Sequence, residues 1–141
     1  MLTVNATDVR KDFSNIIDQA VHQRPLFIKR TKDYLCLSNL ATMESILSIY
    51  HFTAETELEE DGSYTITSNE MDLVENGNTE EEACKKLAES ILEYAQEFYE
   101  EYSLWSKAPN RKKHIPYVLK AIILSDVKQI AEEIQKDVEQ G

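Results

Sequence analysis

The sequence contains few residues that interrupt regular structure, with three glycines and three prolines among 141 residues. This scarcity excludes a loop-rich or low-complexity chain. The two cysteines, Cys36 and Cys84, form no Cys-x-x-Cys pair, so neither a zinc site nor a redox motif is predicted. We expect both to be buried or half-buried thiols in a reducing compartment.

Long hydrophobic runs are also missing. The longest apolar stretch, 118–124, is interrupted by Lys120 and is too short to span a membrane. The first five residues do not combine a basic region with an apolar core, so no signal peptide is expected. The sequence therefore predicts a cytoplasmic protein with no membrane partner.

Residue sets for catalysis are absent as well. His22, His51 and His114 stand apart from one another, and there is no Ser/His/Asp set or glycine-rich phosphate loop. The glutamates between residues 55 and 60 alternate without a metal-ligand spacing, which is typical of a solvated strand face. We therefore predict no catalytic residue, no metal, no cofactor, no small-molecule substrate and no enzymatic activity, since an enzyme hypothesis has no supporting residues.

Negative charge dominates the composition, with a net charge of -11. Residues 51–102 hold 16 acidic and 2 basic side chains, whereas residues 1–50 have a net charge of +1 and residues 103–141 a net charge of +2. The acidity thus belongs to one middle block, and the N-terminal block remains free to meet phosphate. The middle block is either a surface that binds a basic protein partner or a solvated surface.

The first 50 residues predict the order β-α-β-β-α. Leu2 and Val4 indicate a short strand, and a helix capped by Thr7 follows, with apolar residues spaced by three and four. The runs 26–29 and 34–37 predict a hairpin around a polar turn, and 42–49 a short helix.

A second pattern, β-β-β-α, spans residues 50–102. An Asp61-Gly62 turn separates two strands, and residues 71–74 suggest a third. Thr79 and Glu82 form a capping box that opens a long amphipathic helix, in which the aromatic residues of 94–102 are expected to pack in the core. We expect the Glu82 carboxylate to reach the amide of Thr79.

The C-terminal part begins with a basic run, 111–113, which is either a solvated linker or a contact to DNA or a partner. Residues 115–124 form either a helix with Pro116 in its first turn or a buried strand. Ser125 and Asp126 can cap a last helix.

Residues 4–14 (Val-Asn-Ala-Thr-Asp-Val-Arg-Lys-Asp-Phe-Ser) resemble the opening of Phd/YefM-type antitoxins, and Leu26-Phe27-Ile28-Lys29-Arg30 resembles their second strand. That family often has a glycine in the turn after this arginine, where this chain has Thr31-Lys32-Asp33. The resemblance covers about residues 1–50 and implies a dimerising DNA-binding domain. The expected DNA contacts are Thr7, Arg10, Lys11, Lys29 and Arg30.

Residues 50–102 resemble the HicB-like antitoxin fold, in the Asp61-Gly62-x-Tyr64 hairpin and in Gly77-x-Thr79-x-x-Glu82-Ala83. The resulting prediction is an α+β chain of three parts. These are a Phd/YefM-like domain (1–49), an acidic HicB-like domain (50–104), and a basic linker with a mostly helical C-terminal extension (105–141).

The resemblances imply the antitoxin of a type II toxin–antitoxin system. Such a protein binds operator DNA as a homodimer or higher homo-oligomer, represses its own transcription, and neutralises a cognate toxin, here a small basic ribonuclease-like protein. The alternative hypothesis is a protein-interaction module or orphan regulator that lacks DNA binding or a cognate toxin.

Overall fold

The structure is a computed structural model that describes residues 1–140. The chain is mixed α+β and divides into two compact units, Met1–Ile46 and a second that begins at Leu47. Each unit contains one three-stranded sheet. None of the helices in the described residues combines the length and apolar composition needed to cross a bilayer.

Unit 1 consists of β1 (Val4–Asn5), α1 (Ala6–Lys11), α2 (Phe13–His22), β2 (Leu26–Arg30), β3 (Asp33–Leu37) and α3 (Leu40–Leu47), whose last residue falls to the second unit. β1 runs parallel to β2, and β2 pairs antiparallel with β3. The small core comprises Ile16 and Ala20 of α2 and Leu26 of β2.

Three local predictions for unit 1 are wrong. The helix begins at Ala6 with Asn5 as its N-cap residue and no side-chain cap, so Thr7 lies inside the first turn and does not cap it. The predicted single helix is broken at Asp12, whose backbone (φ -135°, ψ 44°) leaves the helical region between α1 and α2. Cys36 is exposed because it lies on the sheet face opposite α2, whereas Cys84 is buried as expected.

Unit 2 opens with the antiparallel sheet β4 (Ala54–Leu58), β5 (Tyr64–Ser68) and β6 (Val74–Gly77), in that spatial order. The long helix α4 (Glu80–Glu100) covers one face of the sheet. One half of its capping box forms as predicted: the Glu82 amide donates to Thr79 Oγ1 at 3.0 Å. The Glu82 carboxylate accepts from the amide of Asn78 rather than that of Thr79, which corrects the predicted partner.

The rest of the chain adds α5 (Tyr102–Trp105), a 3₁₀ turn (Lys112–His114), α6 (Ile115–Leu124) and α7 (Val127–Gln140). Residues 115–124 are thus a helix with Pro116 in its first turn, and Asp126 Oδ1 accepts from the amide of Lys128 at 2.9 Å. Both α6 and α7 contribute to the core built on α4. The residues that the sequence assigns to an extension therefore complete the hydrophobic core of the second unit.

The basic run 111–113 does not form a simple solvated linker. The Arg111 guanidinium lies 4.4 Å from the Trp105 ring centre, and it donates to the Tyr94 hydroxyl at 3.4 Å. The Tyr94 hydroxyl also meets Nδ1 of the buried His114 at 2.6 Å. Burial lowers the pKa of His114, because it disfavours the charged imidazolium. Lys112 and Lys113 remain exposed.

Candidate nucleic-acid interface

One surface groove of unit 1 collects most of the predicted DNA contacts. It is lined by the start of α1, by Arg10, and by the end of β2 with the turn that follows; its residues are Asn5, Ala6, Thr7, Asp8, Arg10, Lys29, Arg30 and Thr31. Thr7, Arg10, Lys29 and Arg30 are therefore brought together, although they come from two segments about twenty residues apart in the sequence. Lys11, the fifth predicted contact, does not line this groove.

The sheet register explains this convergence. Because β1 is parallel to β2, Asn5 lies opposite Lys29, and α1 starts directly after Asn5. Arg10 follows about one helical turn later. Arg30 ends β2, the central strand, at the same end of the sheet, where it pairs across the hairpin with Asp33.

The charge of the groove is positive, with three cationic side chains and one carboxylate, that of Asp8. Arg10, Lys29 and Arg30 are exposed, and none of them forms a salt bridge within residues 1–140. Lys29 lies over the Tyr34 ring at 5.8 Å from its centre, which orients the chain and leaves the ammonium group open to solvent. These groups are free to bind an anion.

The helix geometry changes one part of the sequence argument. Helix α1 has only six residues, and Arg10 and Lys11 fall in its last turn rather than its first. There the two cations complement the negative end of the helix dipole. The first turn of α1, from Ala6 to Asp8, lines the same groove, so Arg10 enters it from the opposite end of the helix.

Sequence reasoning missed Thr31, which lines the groove in a left-handed backbone conformation (φ 55°). A β-branched residue at positive φ is strained. The available signal was the expectation of a glycine at this turn, since glycine adopts that conformation freely. Asn5 and Asp8 were also missed, because their contribution depends on the parallel β1–β2 pairing.

Comparisons with known proteins assign the class. The chain resembles a protein from Syntrophomonas wolfei subsp. wolfei whose crystal structure is named as an antitoxin part of a proposed toxin/antitoxin system. The TM-score is 0.88 and the identity 38%, over 95% of this chain and 96% of the other. No curated protein matches the chain.

The family model described as "Antitoxin of toxin-antitoxin, RelE / RelB, TA system" matches residues 1–136. The chain therefore belongs to this PHD-like family of antitoxins from toxin–antitoxin systems. The single match extends through both units, including the helices α6 and α7.

Proposed function

We propose that this antitoxin acts in a type II system. Unit 1 binds operator DNA as a homodimer, in the manner of Phd/YefM-type domains, and the acidic second unit neutralises a basic toxin by direct contact. The observation that carries the DNA-binding proposal is the groove in which Arg10, Lys29 and Arg30 converge with no salt bridge to any carboxylate of the described chain.

The groove suits DNA because it offers two kinds of contact. Lys29 and Arg30 are the last two residues of β2, directly before the hairpin turn. Cations at this place can hold phosphates and fix the position of the protein. The planar guanidinium of Arg10 can donate two parallel hydrogen bonds to a guanine edge in the major groove. The overall charge of the protein does not prevent this, since the acidic excess lies in residues 51–102.

Dimerisation is supported by the poor core of unit 1. Its buried apolar side chains are Ile16, Ala20, Leu26 and Ile28, while large apolar side chains elsewhere in the unit stay exposed. Phe13 is 57% exposed, for example, and Tyr34 54%. A unit of about 46 residues with so small a core gains stability by burying apolar surface against a second copy.

The assignment of unit 2 to a HicB-like fold is supported by the motif that opens α4. Gly77, Thr79, Glu82 and Ala83 form one compact step between β6 and the helix, in which Thr79 caps the helix by accepting from the Glu82 amide and Ala83 is buried. The outer face of the sheet presents Glu55 and Glu57. This face is complementary to a basic toxin surface.

An arginine substitution tests the DNA-binding proposal. Arg10→Ala should weaken operator binding by about 1–3 kcal/mol per copy, because a paired base contact is lost. The measurement is an electrophoretic mobility shift with the DNA upstream of the protein's own reading frame, and sedimentation checks that the dimer persists. Arg24→Ala is the matched control, since Arg24 is exposed outside the groove and, within residues 1–140, its side chain bonds only to Gln23.

Equal operator affinity for the wild type and Arg10→Ala would contradict the proposed interface. Absence of any shift for the wild-type protein would favour an interaction module without DNA binding. Toxin neutralisation is tested separately, by co-expression with the product of the neighbouring reading frame followed by co-purification and a growth assay.

A further inference from the structure

Strand β4 forms one edge of the second sheet, and the register shows which of its backbone groups face outward. The amide of Asn69 donates to the Thr53 carbonyl, and the amide of Glu59 donates to the Ser63 carbonyl. Odd-numbered residues of this strand therefore bond to β5, since antiparallel pairing alternates along a strand. The amides and carbonyls of Thr56 and Leu58 point away from the sheet.

The start of this edge is closed by helix α7. The amide of Ala54, which also points outward, donates to Asp137 at 3.2 Å, and the amide of Phe52 donates to Glu133 at 2.8 Å. Beyond Ala54, an open groove lies between β4 and the end of α7, lined by residues that include Thr56, Val138 and Gln140. The outward groups of Thr56 thus face accessible space.

The opposite edge, β6, is better protected. The Lys86 ammonium donates to the Asn76 carbonyl at 3.2 Å, and the Glu82 carboxylate accepts from the amide of Asn78. Side chains of α4 thereby cover polar backbone groups along and just beyond β6. The sheet consequently offers β4 as its more open pairing edge.

The side chains beside the β4 edge define what would fit there. Glu55 and Glu57 project on the face away from α4, and Leu58, on the other face, is 64% exposed. A strand added to this edge would place alternate side chains beside the two glutamates and the intervening ones beside Leu58. A second copy of β4 fits poorly, because it would bring glutamates against glutamates.

We propose that an extended segment of the basic toxin pairs with β4 as an added strand, with cationic residues at alternate positions facing Glu55 and Glu57 and an apolar residue facing Leu58. Main-chain hydrogen bonds to Thr56 and Leu58 supply affinity, and the alternating side chains supply specificity. This inference rests on the proposed neutralisation of a toxin by the second unit.

A defined peptide tests the pairing on the full-length protein. The probe is a short, fluorescently labelled peptide of alternating lysine and valine with blocked ends, and binding is followed by anisotropy. Thr56→Pro should weaken binding about tenfold, because proline removes an outward donor while the bonds to β5 remain. Val74→Pro is the matched control: it places proline on the opposite edge, where the amide of Val74 also points outward.

A second probe keeps the test independent of how well the variant folds. The same peptide with an N-methyl group on every backbone amide keeps its charge but has no amide donor on either edge, so it cannot pair as a strand. We expect it to bind at least about tenfold more weakly than the parent peptide. Equal binding of the two peptides, equal binding to wild type and Thr56→Pro, or no binding of the parent peptide would overturn the strand pairing.

The co-expressed toxin separates this inference from the proposed function. A toxin that binds wild type and Thr56→Pro equally well would overturn the β4 pairing and leave neutralisation standing. A neighbouring product that does not bind the wild-type protein would overturn the proposed neutralisation itself, and the strand pairing with it. The double variant Glu55→Lys/Glu57→Lys should weaken toxin binding. The control Glu97→Lys/Glu100→Lys, which reverses two exposed charges on α4, should weaken it less.

Discussion

Gly77 has no room for a side chain. A Cβ atom added there would lie 2.5 Å from the backbone nitrogen of Ala83 and 2.9 Å from its Cα atom. Both are backbone atoms of the first turn of α4, so the clash cannot be relieved by turning a side chain. The glycine is therefore required by the close approach of β6 to the helix, not by a left-handed backbone.

Gly77→Ala should destabilise the second unit by about 1–3 kcal/mol, because the end of β6 and the capped first turn of α4 must move apart. Urea unfolding followed by far-UV circular dichroism measures the change. Gly62→Asn is the control: Gly62 has φ +86° with nothing within 4 Å of an added Cβ, and asparagine tolerates that conformation. A Gly77→Ala midpoint equal to that of the wild type would contradict the packing argument.

Single residues were predictable where the physics is local. The bond from the Glu82 amide to Thr79 and the helix cap at Asp126 both span three residues or fewer, so the sequence pattern was sufficient to predict them. The role of Asn5 was not predictable in the same way. It depends on a parallel pairing of β1 with β2 that joins residues 24 apart.

At the level of elements, hydrophobic spacing predicted most strands and helices correctly, including α4 and the three-strand order of the second sheet, but it placed the third strand at 71–74 and the structure has it at Val74–Gly77. It missed the break at Asp12, because apolar residues keep helical spacing on both sides of it. It also left 115–124 undecided, since a short, uniformly apolar run satisfies either period. Hydrophobic spacing could not predict the link between α7 and β4, because this link connects residues about eighty positions apart.

This link centres on Glu133. Its Oε1 atom accepts from Lys120 Nζ at 2.7 Å and from the amide of Phe52, while Lys120 Nζ also donates to the Tyr50 carbonyl at 2.6 Å. The side chains of Lys120 and Glu133 are only 14% and 26% exposed. Helices α6 and α7 and the segment before β4 are therefore joined by one partly buried ion pair.

Glu133→Ala should destabilise the protein by about 1–3 kcal/mol, because it leaves a half-buried ammonium and a backbone amide without their acceptor. Combining it with Lys120→Met should cost less than the sum of the two single changes, and the difference gives the coupling energy. Thermal and urea unfolding measure all four proteins. Glu132→Ala is the control, because it removes the exposed carboxylate of the residue directly before Glu133 on α7. If the free-energy changes of the two single variants add up to that of the double variant, the ion pair has no coupling energy and the prediction is wrong.

For the whole molecule, the partition of charge matters more than its total. A chain with a net charge of -11 is repelled by DNA at long range, yet its first 50 residues have a net charge of +1. Salt weakens both effects, the local attraction and the overall repulsion. For the DNA binding proposed for unit 1, the number of phosphates contacted can be read from the salt dependence, because each released counterion contributes a fixed increment to the slope.

A dimer that uses Lys29 and Arg30 from each copy to hold phosphates would contact up to about four of them, giving a slope of log K against log salt of about -3.6. Arg30→Gln should reduce the magnitude of that slope by about two, since the dimer carries each side chain twice. Fluorescence anisotropy with a labelled operator at several salt concentrations measures it, and Arg24→Gln serves as the control. A reduction of about one would indicate that only one copy meets the DNA, and an unchanged slope would remove Arg30 from the interface.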